Sequence, residues 1–231
     1  IAKLIQNIYD DCNLNVAIDI VESDDLKDSY EIVKGFTMRN TGYTDSIFVN
    51  NPEKSRIEFS NPRVYLYNGK IKFMNQDLMN IFMDNADRNN PNFRPTVLIV
   101  ESIEEAPFKE IRSAFQQEMI YSIAIVESGL IFDNRKSSFI DSSKFLDAEY
   151  NESKIGFFGE CEKIIIEKNS TTFINGKGDV KKHLQDIKKI QKKDPKNIGL
   201  KQRVFDLESV AAIIKVGGKL VDEKGEKKDR I

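Results

Sequence analysis

At 231 residues the chain holds one large domain or two modest ones. Its 35 basic and 37 acidic residues leave a formal charge of -2, which excludes a global electrostatic pull toward nucleic acid or an anionic membrane. No apolar run approaches the roughly 18 residues of a membrane span, and two distant cysteines, Cys12 and Cys161, with the lone histidine His183, exclude a zinc site and a His-based triad.

Residues 3–9 set Leu4, Ile5 and Ile8 on one helical stripe, which Asn13 ends. Val16 to Val21 alternates apolar with small or acidic residues, as a half-buried strand does. Short strands are expected at Ile57–Phe59 and Val64–Tyr67, split by an Asn61-Pro62 turn. Another at Ile71–Phe73 leads into a helix reaching Ala86. Thr96–Val100 and Ser122–Val126 are near-continuous apolar runs, the pattern of strands covered on both faces. Between them lies a helix with Glu104, Glu105 and Pro107 at its start and Phe108, Ile111, Phe115 and Met119 as its buried stripe. Strand, helix and strand together predict a parallel pair joined by a right-handed crossover.

Ile164–Ile166 and Thr172–Ile174 form a hairpin around Asn169-Ser170. Two amphipathic helices follow, marked by Val180, Leu184, Ile187 and Ile190 and then by Leu200, Val204 and Leu207. Asp194-Pro195 joins them as an antiparallel pair. Lysine pairs here, and His183, are expected on a solvated helix face. Ala211–Val216 returns as a strand that Gly217-Gly218 ends, before a charged tail at 222–230. The fold class is α/β with a helical hairpin near its end. Two thiols without a partner in sequence are expected reduced, in a cytoplasm or an organelle matrix. The chain opens without an initiator Met, n-region or cleavage site and reads as an excised fragment.

Several short motifs occur in order along the chain. Gly42-Tyr43 is followed by Ile47-Phe48-Val49 and Asn50-Asn51-Pro52-Glu53, seven residues after Gly35. Farther on come Phe132-Asp133-Asn134-Arg135-Lys136, then Lys163-Ile164-Ile165-Ile166 with Ser170-Thr171-Thr172-Phe173-Ile174-Asn175-Gly176. Arg203-Val204 and Ile214-Lys215-Val216-Gly217 close the series. Collinear over essentially the whole length, these resemble the group I, GroEL-like chaperonins.

The resemblance implies a polypeptide-binding apical domain at 35–209, flanked by two segments of an intermediate, hinge domain at 1–34 and 210–231. The ATP-binding equatorial domain would lie outside both ends. ATP and Mg would belong to a full-length parent and no cofactor to this fragment, which stops short of the family's catalytic aspartate and is expected not to hydrolyse ATP. The implied partners are unfolded polypeptides, further copies in a ring and a GroES-like co-chaperonin.

By the same resemblance Tyr43, Ile47 and Phe48 match an exposed binding trio, and Leu78 and Ile81 match groove residues. A one-residue slip gives that role to Met79 and Phe82 instead. From residues alone, Phe73, Met74, Leu78, Met79, Ile81, Phe82 and Met83 are more apolar side chains than one buried stripe uses. Phe108 matches a family leucine, but Arg112 and Ser113 replace the apolar pair after it. A charge at that rim raises the desolvation cost of docking an apolar segment or a co-chaperonin loop. Gly35 is kept as a hinge, whereas the second hinge's paired glycines appear as Ser209-Val210. That moves the pivot to Gly217-Gly218 or restricts rotation. The family's intersubunit arginine aligns with Thr41, with Arg39 nearby as a substitute.

Two other readings stay open. A nucleotide-dependent α/β enzyme needs a Gly-rich loop after a strand, which neither Val100-Glu101-Ser102 nor Val126-Glu127-Ser128-Gly129 supplies. An assembly module would use the apolar helix as a fixed oligomer interface.

Overall fold

The computed structural model describes residues 2–12, 16–23 and 27–218. In chain order the elements begin with α1 (Ala2–Cys12), β1 (Val16–Glu22), β2 (Ser29–Arg39), β3 (Thr41–Tyr43) and a 3-10 turn at Ser46–Phe48. Then come β4 (Ile57–Ser60), β5 (Arg63–Ile71), α2 (Gln76–Met83), β6 (Thr96–Ile103), α3 (Glu105–Gln116) and β7 (Ile123–Ser128). The last are α4 (Phe132–Leu146), β8 (Gly159–Ile166), β9 (Ser170–Gly176), α5 (Lys181–Lys193), α6 (Ile198–Leu207) and β10 (Val210–Val216). The protein is mixed α/β. It forms two compact units, Ile1–Phe36 with Glu208–Ile231, and Thr37–Leu207. The expected boundaries, after residues 34 and 209, lie two residues from these.

The two-segment unit pairs β1 with β10 in parallel and β10 with β2 antiparallel. Ile8 packs against Ala212, Ile214 and Val216, with Leu4, Ile5, Ile18, Ile20 and Tyr30 around them. The Leu4–Ile5–Ile8 stripe is therefore the buried side of α1. Gly35 sits inside β2, where its N–H donates to Ser209 O at 3.1 Å. A Cβ there would lie 3.0 Å from the Val210 and Ala211 backbones. Close approach of two strands, and not a positive φ, is what calls for glycine at this position. Val210 opens β10, and Gly217 is buried with its N–H donating to Asp28 Oδ1 at 3.0 Å. Asn13 and the charged tail lie outside the described residues.

The Thr37–Leu207 unit has strand order β9-β8-β5-β6-β7-β3, with β4 on β8. β5, β6 and β7 are parallel, and the other pairings among these strands are antiparallel. Val97–Val100 and Ile123–Val126 are buried, as expected of strands covered on both faces. The crossovers through α2 and α3 advance in one direction, so right-handed connection puts both helices on one face of the sheet.

Three elements differ from expectation. β5 runs through to Ile71, so no separate strand forms at Ile71–Phe73, and the helix begins only after Asn75. Asn75 ends the extended backbone by capping, its side chain accepting from Leu78 N at 2.8 Å. β2 and α4 carry no clear sequence signal. In α4 the buried face includes Asp141, Ser142 and Ser143 beside Phe139, Phe145 and Leu146, which blurs its apolar period.

Candidate functional site

α2 separates its apolar residues by helical period. Leu78, Ile81 and Phe82, spaced i, i+3, i+4, form the buried stripe, with Leu78 only 1% exposed. Met79 and Met83, one turn apart, take the other side and are 45% and 62% exposed. Asn85, buried just past the helix, fixes what lies beside this face. Its Nδ2 donates to Arg94 O at 2.8 Å and Tyr121 O at 2.9 Å, and its Oδ1 accepts from Thr96 Oγ1 at 2.9 Å. Tyr121 N–H returns to Asn85 O at 2.9 Å, and the Arg88 guanidinium sits 4.1 Å from the Tyr121 ring centroid. These bonds bring the segment after α3 to the end of α2. Met119 on that segment is 58% exposed. Three of the chain's five methionines are thus exposed, Met79 and Met83 on α2 and Met119 just past α3.

The expected site residues divide accordingly. Leu78, Ile81 and Phe82 are corrected from solvent-facing to core, because the helical period turns all three to the buried side. Phe48 is also core, stacked edge-to-face on Phe115 at 5.1 Å and Phe108 at 6.4 Å between ring centroids. Phe108, Ile47 and Tyr43 are half-buried, the Tyr43 hydroxyl donating to Ser55 O at 3.5 Å. Met119 is corrected the other way: α3 ends at Gln116, so Met119 leaves the helical stripe and faces water. The missed signal was the period itself, since assigning Leu78, Ile81 and Phe82 to one face leaves Met79 and Met83 for the other.

Arg112 is exposed and pairs with Asp45 at 3.3 Å, while Ser113 is half-buried. Asp45 also accepts from Ile47 N at 2.9 Å, so the cation at this rim ties α3 to the 3-10 turn. Thr41 is buried, and Arg39 pairs with Asp206 at 3.5 Å inside the same unit. His183 is not a free surface group. Its Nε2 meets Asp141 Oδ1 at 2.7 Å, and the same buried carboxylate accepts both Arg203 Nε at 2.8 Å and Nη2 at 2.7 Å. This clasp joins α4, α5 and α6.

Burial pushes the Cys161 thiol up to about 12, so it stays protonated at neutral pH. No cluster of three or more His, Cys, Asp or Glu side chains able to hold a metal occurs among the described residues. Each helix that follows a parallel strand carries acid in its first turn: Asp77 in α2, Glu105 in α3 and Asp133 in α4. Carboxylates there repel a phosphate from the positive helix end. No described helix is long and apolar enough to cross a membrane.

No protein-family model matches this chain. What the methionine face can do therefore rests on its chemistry. Thioether side chains are flexible and polarisable, and they fit apolar partners of varied shape.

Proposed function

We propose that the Thr37–Leu207 unit is a polypeptide-binding domain of the GroEL-apical kind, which captures non-native chains on its α2/α3 face. The exposed Met79, Met83 and Met119 carry this reading, because thioethers adapt to apolar partners of varied shape, which the other exposed apolar side chains such as Phe132 and Phe157 do less well. Covering one large apolar side chain contributes about 1.5–3 kcal/mol, so a single unit would hold a client weakly. A ring of copies would raise the avidity without adding sequence specificity. The unit built from both ends of the described chain supports an intermediate-domain role for residues 1–34 and 210–231. In a full-length ring, ATP and Mg at an equatorial domain would drive rotation, covering the methionines and releasing the client into a closed cavity. Arg112 at the rim disfavours a GroES-like loop that docks through apolar residues alone.

The test is capture of a reduced, carboxymethylated protein that cannot refold. The double variant Met79→Ser/Met83→Ser is expected to weaken capture about tenfold or more, with its melting transition kept. Unchanged capture by that variant overturns the reading. Concentration-dependent self-association of the wild type, lost in the variant, would assign these residues to an oligomer interface instead.

A further inference from the structure

A second feature lies at the far end of β5, beside the first turn of α2. β6 pairs with β5 from Arg63 to Ile71, but β8 pairs with it only at Arg63 and Val64. Among the described residues, no strand pairs with the edge of β5 opposite β6 from Tyr65 onward. A bulge between Tyr67 and Lys70 turns the strand, and Asn68 N–H donates to Asn151 O at 3.4 Å on that side. Beyond this tie the edge opens onto a cleft of about 310 Å³ between β5 and Ser153–Ile155. Sharing Tyr67, Lys70 and Lys72, a shallower depression of about 650 Å³ continues it. Ile71 directs its C=O to Glu104 N at 2.8 Å on the β6 side. Strand alternation therefore turns the backbone groups of Lys70 toward the cleft, and Lys72 follows just past the end of the strand.

Charge selects the occupant. Lys70, Lys72 and Lys154 line the cleft with one acid, Asp77, while the adjoining depression sets Arg135 and Lys136 against Glu101, Asp133 and Glu152. Lys70 has only a distant partner, Glu101 at 3.8 Å, and neither Lys72 nor Lys154 has an ion pair among the described residues. Phe73, Ile155 and the buried Leu78 supply apolar wall. Lysines and a bulge on an edge strand normally keep other strands away. Here they bar a second copy of this edge, which would bring lysine onto lysine, and favour a strand of opposite charge.

We propose that an extended polypeptide segment of alternating acidic and apolar residues adds as a strand beside the end of β5, at Lys70, and runs on past Lys72. Main-chain hydrogen bonds would hold it, with its carboxylates on Lys72 and Lys154. The site shares α2 with the methionines, through Asp77 and Leu78, but does not depend on client capture by them.

A fluorescein-labelled peptide of alternating Glu with Val and Phe, titrated by anisotropy, tests this. Binding is expected to fall about tenfold or more when Glu is replaced by Gln, or in the Lys72→Glu/Lys154→Glu variant. A peptide N-methylated at alternate residues keeps its charge but loses the edge donors, and is expected to bind about tenfold or more weakly too. Equal binding of the N-methylated peptide overturns strand addition and leaves charge attraction alone. Absence of binding at about 1 mM overturns the site. Binding lost in Met79→Ser/Met83→Ser but kept in the lysine variant would place the peptide on the methionine face, again against the proposal.

Discussion

Glu58 sits on β4 and gathers two cations on one carboxylate. Arg56 Nε lies 2.6 Å from its Oε1 and Lys163 Nζ 3.0 Å from its Oε2, while Asn51 Nδ2 adds a hydrogen bond at 2.8 Å. Partial burial by itself would raise the carboxyl's pKa, but the bonds from Lys163 and Arg56 outweigh it and hold the group at about 2, against an ordinary 4.5. A depressed pKa means the folded state binds the proton more weakly than the unfolded chain does. The stabilisation is therefore complete above about pH 4.5 and lost as pH falls through about 2. Glu58→Gln is expected to cost about 1 kcal/mol at neutral pH, allowing for solvent screening. Urea melts of both proteins from neutral to acid pH should show the difference shrinking below about pH 4.5. A difference that stays constant with pH would contradict the ion-pair account.

At the scale of elements, α2 shows how one helix serves a core and a surface together. Its buried stripe, Leu78, Ile81 and Phe82, and its exposed pair, Met79 and Met83, differ by rotation about the axis and not by hydrophobicity. The two sides should respond differently to truncation. Leu78→Ala is expected to destabilise the protein by about 2–4 kcal/mol, since it leaves a cavity, and Met79→Ala by no more than about 1 kcal/mol. Denaturant midpoints check this, and equal losses at both positions would remove the distinction between the faces. The regular patterns were legible before folding: the parallel β6 and β7, the β8–β9 hairpin and the α5/α6 pair all sit where their periodicity places them. α4 was not legible, because its buried face is half polar. Asp141 is tolerable there only through Arg203 and His183, which come from α6 and α5. Partners that distant leave no local trace.

For the whole molecule, the Thr37–Leu207 unit is one continuous stretch of chain with its own sheet and core, whereas the other unit needs both ends of the chain. The Thr37–Leu207 fragment is therefore expected to fold alone, with a single cooperative denaturant transition of about 5–15 kcal/mol. Circular dichroism would check it, and a fragment lacking a cooperative transition would show that its core is incomplete. By itself the sequence determined the α/β class, the strand–helix–strand crossover and the surplus of apolar side chains around residues 73–83. Those are properties of composition and local period, which neighbouring residues set between them. Only the tertiary structure decided which of those side chains face water, which glycine serves strand contact and where β5 is left without a neighbour. Burial and pairing are relations between segments distant along the chain, and no local period encodes them.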